Sequence, residues 1–260
     1  MKTIISELKY SNTNTYLIEG SEGTILFDTG WAGTFVQFCS ALGSVGKKLQ
    51  DIDHILVSHF HPDHMGIAQE IADQGPVITI VDLQRPFVHS SDQIFAKDTR
   101  VHYEPIKDDS LNVITIEQSR DFLRSLGIDG EIIHTPGHSE DSISLWLDEG
   151  SLFVGDLNPL YELELHKGTE IEKSWNKLLE KKPKAIYYGH AKTYQTPQHS
   201  EWYGLVSRIM KYIDKGYSIE KIQRKTAADI DFIEDVNRMY LTHQNVGVQG
   251  ILDRIEIKNK

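Results

Sequence analysis

The chain of 260 residues has few of the features that mark a secreted or membrane-bound protein. It has a single cysteine, Cys39, which cannot form a disulfide within the chain, so the fold does not depend on an oxidising compartment. Its longest apolar runs, such as 25–27 and 76–81, are far shorter than the roughly 20 residues of a membrane-spanning helix. Residues 1–10 also lack the apolar stretch of a signal peptide. We therefore expect a cytoplasmic protein with no membrane partner.

Basic residues are scarce as well. The chain has 27 Lys and Arg against 38 Asp and Glu, which gives a formal net charge of −11. Because such an acidic surface repels phosphate backbones and anionic lipids, we expect neither nucleic acid nor membranes as general partners. A hydrophobic content of 39% is typical of a globular protein, and the length suits one large domain with a small appendage.

Short apolar strands and helical segments follow one another up to about residue 195. The patterns predict strands at 15–18, 24–28, 52–58, 77–81, 131–134, 142–147, 151–154 and 185–188. They predict helices at 34–42, 65–74 and 171–179. Residues 82–118 show few clean periods, and we expect loops and one or two helices there.

The pattern changes after Pro197. From Glu201 to His243 it is helical, with a second helix capped by Ser218 and a third helix from Asp229 to Leu241. This change predicts a first domain at residues 1–196 and a C-terminal helical extension at 197–260. The extension either shapes a substrate entrance, covers a sheet edge or forms a homodimer contact.

The strongest chemical signal is the segment Ser58–Gly66, with the sequence SHFHPDHMG. Its six central residues include four potential metal ligands: His59, His61, Asp63 and His64. Imidazole nitrogens and carboxylate oxygens bind zinc and similar divalent ions. His59 and His61 are two residues apart at a strand end and project to the same side, whereas Asp63 and His64 begin a helix and turn toward a neighbouring point. The segment can therefore serve two adjacent metal ions.

Three further candidate ligands each follow a glycine near the end of a predicted strand: His138, Asp156 and His190. Loops at one sheet edge are where α/β and layered proteins build their sites. A lone histidine after a strand is usually a packed or surface residue, but the whole set in this order predicts metal binding. A carboxylate such as Asp156 has two oxygens and can bridge two ions.

This set of residues resembles the metallo-β-lactamase superfamily over roughly residues 12–195, with H-x-H-x-D-H followed by the three later ligands. The resemblance implies an α/β fold, a four-layer αββα sandwich with the metals at one edge of two packed sheets. It also implies the ligand sets: His59, His61 and His138 for one ion, Asp63, His64 and His190 for the other, and Asp156 as the bridge. Asp28 matches the family's early aspartate, which supports the ligands from behind.

Departures from the patterns of particular branches reduce the number of branches of the superfamily that the chain resembles. His61 stands where the di-iron flavoprotein branch typically has glutamate, and no flavodoxin-like domain follows. Asp156 stands where many true β-lactamases of the superfamily carry cysteine. The segment His134–Ser142 looks like the hydroxyacylglutathione hydrolase, lactonase and quinolone-signal thioesterase-like branches, and the C-terminal helices are similar to theirs. The motifs do not choose among these three.

Chemistry and resemblance together predict a hydrolase that cleaves a small-molecule ester, thioester or lactone with a hydroxide bridging two metal ions. Zinc is the first expectation for both ions, and the same ligands accept iron or manganese. Asp63 is expected to be catalytic as well, because it can orient the nucleophile or shuttle its proton. The alternatives are a phosphodiesterase or nuclease with the same dinuclear site, for which no basic groove is visible, and a redox or non-catalytic protein.

Overall fold

The computed structural model describes residues 3–98, 100–195, 200–242, 247, 248, 250–252 and 254, without the side chains of residues 161, 164, 195 and 200–203. The chain forms two compact units. The first comprises Met1–Leu157 and Asn176–Tyr194, and the second comprises Asn158–Trp175 and Gln195–Lys260.

This division differs from the predicted one at Asn158–Trp175, which the sequence assigned to the first domain. The indole N–H of Trp175 donates a hydrogen bond of 2.8 Å to the carbonyl of Asn158, so the two ends of this segment meet. Sequence periodicity does not show such a closure. The boundary between 196 and 197 stays a prediction, because residues 196–199 lie outside the described ones.

The first sheet has six strands in sequence order. They are β1 Ile4–Leu8, β2 Thr15–Glu19, β3 Thr24–Phe27, β4 His54–Leu56, β5 Val77–Val81 and β6 Asn112–Ile114. The pairs β1–β2 and β2–β3 are antiparallel, and the pairs from β3 to β6 are parallel. Because β3, β4 and β5 run in the same direction, the segments that follow them all begin at the same end of the sheet, where these strands end.

The second sheet has five strands in the order β11-β10-β9-β8-β7. They are β7 Gly130–His134, β8 Ile143–Leu147, β9 Ser151–Phe153, β10 Ala185–Tyr187 and β11 Tyr194–Gln195. β7, β8 and β9 form antiparallel pairs, whereas β9 and β10 are parallel. The parallel pair carries the segments of Asp156 and His190 to the same edge.

Apolar residues alternate between the two faces of the first sheet. Leu17 and Leu26 lie in a cluster with Phe38. The residues next to them along β2 and β3 belong to a second cluster. That second cluster also contains residues of the second sheet, including Leu145 and Phe153. One core therefore lies between the two sheets, and another lies between the first sheet and its helices.

The helices of the first unit are short. They are α1 Phe35–Ser44, α2 Pro62–Met65, α3 Ala68–Ala72, α4 Asp92–Lys97 and α5 Ser119–Ser125, followed by α6 Glu170–Leu179, which continues from the second unit. The helix predicted at 65–74 is interrupted, because α2 ends at Met65 and α3 begins at Ala68. The amide of Gly66 donates to the carbonyl of Gly30 at 2.9 Å, and a Cβ at Gly66 would lie 2.2 Å from the amide nitrogen of Ala32.

Between residues 200 and 242 the second unit forms the helices that the sequence predicts, which are α7 Ser200–Asp214, α8 Ile219–Thr226 and α9 Ile230–Thr242. Their buried residues, such as Val206, Ile222 and Val236, share one cluster. The hydroxyl of Ser218 caps α8 by accepting a hydrogen bond from the amide of Lys221. Within the described part of the chain, no helix combines the length and apolarity needed to cross a membrane.

Candidate metal centre

The seven predicted ligands all lie in the first unit, on segments that follow strands. His59 comes three residues after β4, His61 precedes α2, and Asp63 and His64 lie within α2. His138 lies in the turn between β7 and β8, Asp156 follows β9, and His190 follows β10. The two sheets thus bring ligands that are up to 131 positions apart in sequence to one edge of the sandwich.

The structure brings all seven side chains together in two groups. His59, His61 and His138 form the first group, and Asp63, His64, Asp156 and His190 form the second. Within each group the candidate ligand atoms lie within 4.8 Å of one another. The expected convergence is therefore present, and metal binding by these residues stays a prediction.

The first group consists of three imidazoles. His138 Nε2 lies 3.1 Å from His61 Nδ1. The ring centroid of His59 lies 4.4 Å from that of His61 and 4.8 Å from that of His138. Three imidazoles with room for a further ligand are a known arrangement for catalytic zinc.

The second group is built around Asp156. Its Oδ1 lies 3.2 Å from His64 Nε2, and its Oδ2 lies 3.3 Å from His190 Nε2. The same Oδ2 lies 3.6 Å from Nε2 of His138, a residue of the first group. Asp63 completes the second group, with Oδ2 2.9 Å from His190 Nε2. Asp156 therefore lies between the two groups, as a bridging ligand must.

Several buried polar atoms of the centre fit a bound cation. His59 Nε2, His64 Nε2 and Asp156 Oδ1 are buried and have no hydrogen-bond partner among the described residues. An unsatisfied buried polar atom costs about 1–3 kcal/mol. His64 Nε2 and Asp156 Oδ1 lie 3.2 Å apart, and nitrogen and carboxylate donors suit divalent ions. The residues present thus fit a pair of metal ions.

Charges within the second group set the protonation of the metal-free site. Burial lowers the pKa of His64, but the nearby Asp28 and Asp156 outweigh burial and raise it to about 10. Hydrogen bonds with Asp156 and Asp63 raise the pKa of His190 to about 10. Burial raises the pKa of Asp156, but the nearby imidazoles of His190 and His64 outweigh burial and hold this pKa well below its usual range. The metal-free group therefore carries two imidazolium ions at neutral pH.

The first group behaves differently. Burial lowers the pKa of His59 well below its usual value, and the neighbouring His64 and His61 lower it further. Burial also lowers the pKa of His138. These two imidazoles are neutral at physiological pH, which is the form that binds metal ions.

Asp28 supports the centre from behind the ligands, as the resemblance implied. It follows β3 with φ +63° and is fully buried. Its Oδ1 accepts a hydrogen bond from the amide of Ser58 at 2.7 Å, and its Oδ2 accepts one from the Ser58 hydroxyl at 2.9 Å. The Ser58 hydroxyl also lies 3.0 Å from His59 Nδ1. The same hydroxyl lies 3.3 Å from His64 Nδ1, so one carboxylate and one hydroxyl orient ligands of both groups.

The residues that hold the His190 segment were missed from the sequence. The side-chain amide of Asn14 donates to the carbonyls of Tyr188 at 3.0 Å and Ala191 at 2.9 Å. His190 Nδ1 lies 3.0 Å from the carbonyl of Asn12. These asparagines carry no metal-binding signal, and the residues that they contact lie more than 170 positions away in the sequence.

Gly189 allows Asp156 and His64 to approach the His190 segment. A Cβ at this position would lie 2.5 Å from Asp156 Oδ1 and 2.8 Å from His64 Cε1. Any side chain would therefore displace one of the two ligands. The glycine before His190, noted in the sequence, thus has a steric role in the centre.

Comparisons with known proteins agree with this geometry. A family model described as the metallo-beta-lactamase superfamily matches residues 9–190. A beta-lactamase-like protein 2 homolog of Drosophila melanogaster is 30% identical over 200 residues, covering 74% of this chain and 63% of that protein. An atrochrysone carboxyl ACP thioesterase of Aspergillus fumigatus is 28% identical over 147 residues, covering 55% of this chain and 29% of that protein. The chain thus spans less than two thirds of the length of either relative.

Solved structures show the same fold. A metallo-beta-lactamase family protein from Thermus thermophilus aligns with a TM-score of 0.54 and 15% identity, over 99% of this chain and 93% of that one. A protein crystallised in a di-iron-bound form aligns with a TM-score of 0.54 and 23% identity, over 74% of this chain and 94% of that one. Because the sequence identities are low, these structural likenesses support the fold alone. They confirm the predicted sandwich.

Proposed function

The chain belongs to the metallo-beta-lactamase superfamily, and from this premise we propose that it is a metal-dependent hydrolase that cleaves a small-molecule ester, thioester or lactone. In this proposal the seven side chains bind two divalent ions. His59, His61 and His138 hold one ion, Asp63, His64 and His190 hold the other, and Asp156 binds both. Ions held there would supply the bridging hydroxide that attacks the substrate.

The position of Asp156 carries the proposal. Its two oxygens lie within 3.2–3.6 Å of His64, His190 and His138, so a single carboxylate reaches ligands of both groups. A site with room for only one ion would not need this arrangement. Two adjacent ions acidify a water molecule and polarise a carbonyl, which is the chemistry that acyl hydrolysis requires.

The protein supplies orientation and a base. Asp63 Oδ2 faces His190 at 2.9 Å and accepts a hydrogen bond of 3.5 Å from the hydroxyl of the buried Thr13. The hydrogen bond with His190 helps to lower the pKa of Asp63, although burial opposes this effect, so the carboxylate stays ionised at neutral pH. An ionised carboxylate at the site can orient the attacking water and accept its proton.

Acyl substrates are favoured over phosphodiesters by two observations. One relative is named as a carboxyl ACP thioesterase, and thioester hydrolysis is a reaction of this same class. The net charge of −11 disfavours a polyanionic substrate. We therefore keep nucleic acid outside the proposed partners, and we propose a small molecule as the substrate and a cytoplasmic location.

We propose zinc for both ions. The three imidazoles of the first group are a ligand set that zinc hydrolases use, with a further position left for water or substrate. Iron is the main competitor, because one structural neighbour was crystallised with two iron ions. Elemental analysis of protein purified without added metal distinguishes the two.

The test of the proposed function combines the measured metal content with a panel of substrates. Thioesters, lactones, β-lactams and bis-p-nitrophenyl phosphate are offered to the metal-replete protein. We expect two zinc ions per chain and turnover of a thioester or lactone. Activity on the phosphodiester alone would overturn the acyl-hydrolase proposal, and a metal-replete sample without bound ions would overturn the metal centre.

A further inference from the structure

The peptide groups of Phe60 are held by side chains from other segments. Phe60 lies between the ligands His59 and His61 and is fully buried. Its amide donates a hydrogen bond of 2.7 Å to Asp141 Oδ2. Its carbonyl accepts hydrogen bonds from the hydroxyls of Ser91 at 2.6 Å and Ser90 at 3.1 Å. The position of the two ligands thus depends on contacts made through the residue between them.

Asp141 lies on the segment that carries the third ligand of the first group. It follows His138 by three residues, and its side chain is buried with 1% of its surface exposed. Its Oδ1 accepts a hydrogen bond from the Ser139 hydroxyl, which holds the carboxylate within its own turn. One carboxylate therefore joins the turn of His138 to the segment of His59 and His61.

Two more hydrogen bonds strengthen this junction. The amide of Ile143, at the start of β8, donates to the carbonyl of Ser58 at 2.8 Å. The buried Gln84 donates from its side-chain amide to the carbonyls of Val57 at 3.0 Å and Asp141 at 3.2 Å. These backbone groups of the two ligand segments therefore have hydrogen-bond partners. Among the partners named, Asp141 is the carboxylate that contacts both segments.

We propose that Asp141 is a positioning residue that assembles the three-histidine group before a metal ion arrives. This inference rests on the proposed function, because it takes His59, His61 and His138 as ligands of one ion. Removing the carboxylate leaves the buried amide of Phe60 without its acceptor and removes one of the hydrogen bonds that join the two ligand segments. Loss of a residue that orients metal ligands typically reduces metal affinity about 10–100-fold.

The experiment measures metal binding by equilibrium dialysis of metal-free protein against Co²⁺, whose absorption spectrum reports the ligands of each ion. Asp141→Ala should weaken one ion about 10–100-fold. The lost spectral component should be the one that His138→Ala removes and not the one that His190→Ala removes. Asp141→Asn should restore affinity, because its amide oxygen can accept from Phe60 and its amide N–H can donate to Ser139.

Asp53→Ala is the matched control. Asp53 Oδ2 also accepts a hydrogen bond from a backbone amide, that of Thr24 at 2.8 Å, but at the opposite end of β4. This variant should bind both ions with wild-type affinity. Amide exchange in the metal-free proteins gives a second readout, since the Phe60 amide should exchange faster in Asp141→Ala than in the wild type.

Each outcome decides the proposal. Two ions bound at wild-type affinity by folded Asp141→Ala, or an Asp141→Asn variant as weak as Asp141→Ala, would overturn the role of Asp141 and leave the proposed function intact. A wild-type protein that binds no Co²⁺ would overturn the proposed function, and the positioning role with it.

Discussion

His64 Nδ1 lies 2.9 Å from Asp28 Oδ2, and both side chains are almost completely buried. This contact points the other imidazole nitrogen, Nε2, toward Asp156, where it lies 3.2 Å from Oδ1. Asp28 thereby selects which nitrogen of His64 is available to a metal ion. A buried carboxylate that is not itself a candidate ligand therefore sets the orientation of a buried candidate ligand.

The first prediction concerns this pair. Asp28→Asn keeps the size of the side chain, and asparagine tolerates the positive φ of +63° at this position. The variant removes the charge that orients His64 and places an amide N–H where Ser58 or His64 donates. We expect the ion of the second group to bind about 10–100-fold more weakly, as measured by equilibrium dialysis. Unchanged affinity for both ions would contradict the role assigned to Asp28.

The convergence of the candidate ligands could be predicted from the sequence because their chemistry is local and specific. His59, His61, Asp63 and His64 lie within six residues, and few functions other than metal binding use such a cluster. The supporting residues could not be found in this way. Asn14 and Asp141 are ordinary polar residues, and their partners are backbone groups 174 and 81 positions away. A backbone amide carries no signal in a sequence.

The missed strands have a similar cause. β1 leaves Ile4 59% exposed, and β6 has only three residues, so neither shows a clear apolar pattern. Both exist because a neighbouring strand offers hydrogen bonds, which is a property of the fold and not of the segment. The prediction of one continuous helix at 65–74 was wrong. Here the fold interrupts a helix that the local pattern favours, because Gly66 packs against the loop after β3.

The second prediction tests the steric role of Gly189. A methyl group there would lie 2.5 Å from Asp156 Oδ1 and 2.8 Å from His64 Cε1, so Gly189→Ala should displace the carboxylate between the two groups. We expect metal affinity to fall about 10–100-fold and turnover to fall with it, while the far-ultraviolet circular dichroism spectrum stays that of the wild type.

Gly43→Ala is the control for this variant. Gly43 lies in α1, and a Cβ there meets no atom within 4 Å. Alanine should raise the free energy of unfolding by about 0.5–1 kcal/mol through helix propensity and leave turnover unchanged. Equal losses of activity in the two variants would show that the effect at Gly189 is not a consequence of its contacts with the ligands.

The third prediction concerns the ligands themselves. Asp63→Ala should reduce turnover by a factor of about 10²–10⁴, the range typical for loss of a catalytic acid–base group. His138→Ala should also reduce turnover by orders of magnitude, because it removes one of the three imidazoles of the first group. His89→Ala is the control, because His89 lies outside both groups and pairs with Asp92 at 2.8 Å and Asp108 at 3.3 Å. Steady-state kinetics on the substrate found in the panel measure the effect. Wild-type turnover in either ligand variant would exclude the assigned role of that residue.

The last prediction concerns the competition between protons and metal ions. In the metal-free protein the pKa values of His64 and His190 are raised to about 10 by neighbouring carboxylates, whereas burial lowers those of His59 and His138. Imidazole ¹⁵N shifts recorded against pH should therefore show two histidines that stay charged up to about pH 9 and two that are neutral at physiological pH.

Metal binding must then displace the protons of the second group, because a ligand nitrogen has to be deprotonated. The direction follows from the raised pKa values of His64 and His190. Between pH 8 and pH 6 these imidazoles stay protonated while the proton concentration rises, so the ion of the second group should bind progressively more weakly as pH falls. The ion held by the three-histidine group should lose less affinity over the same range, because burial lowers the pKa values of His59 and His138. Equilibrium dialysis at several pH values measures both ions. Equal pH dependence for the two ions would show that the carboxylates do not hold the second group in its charged form.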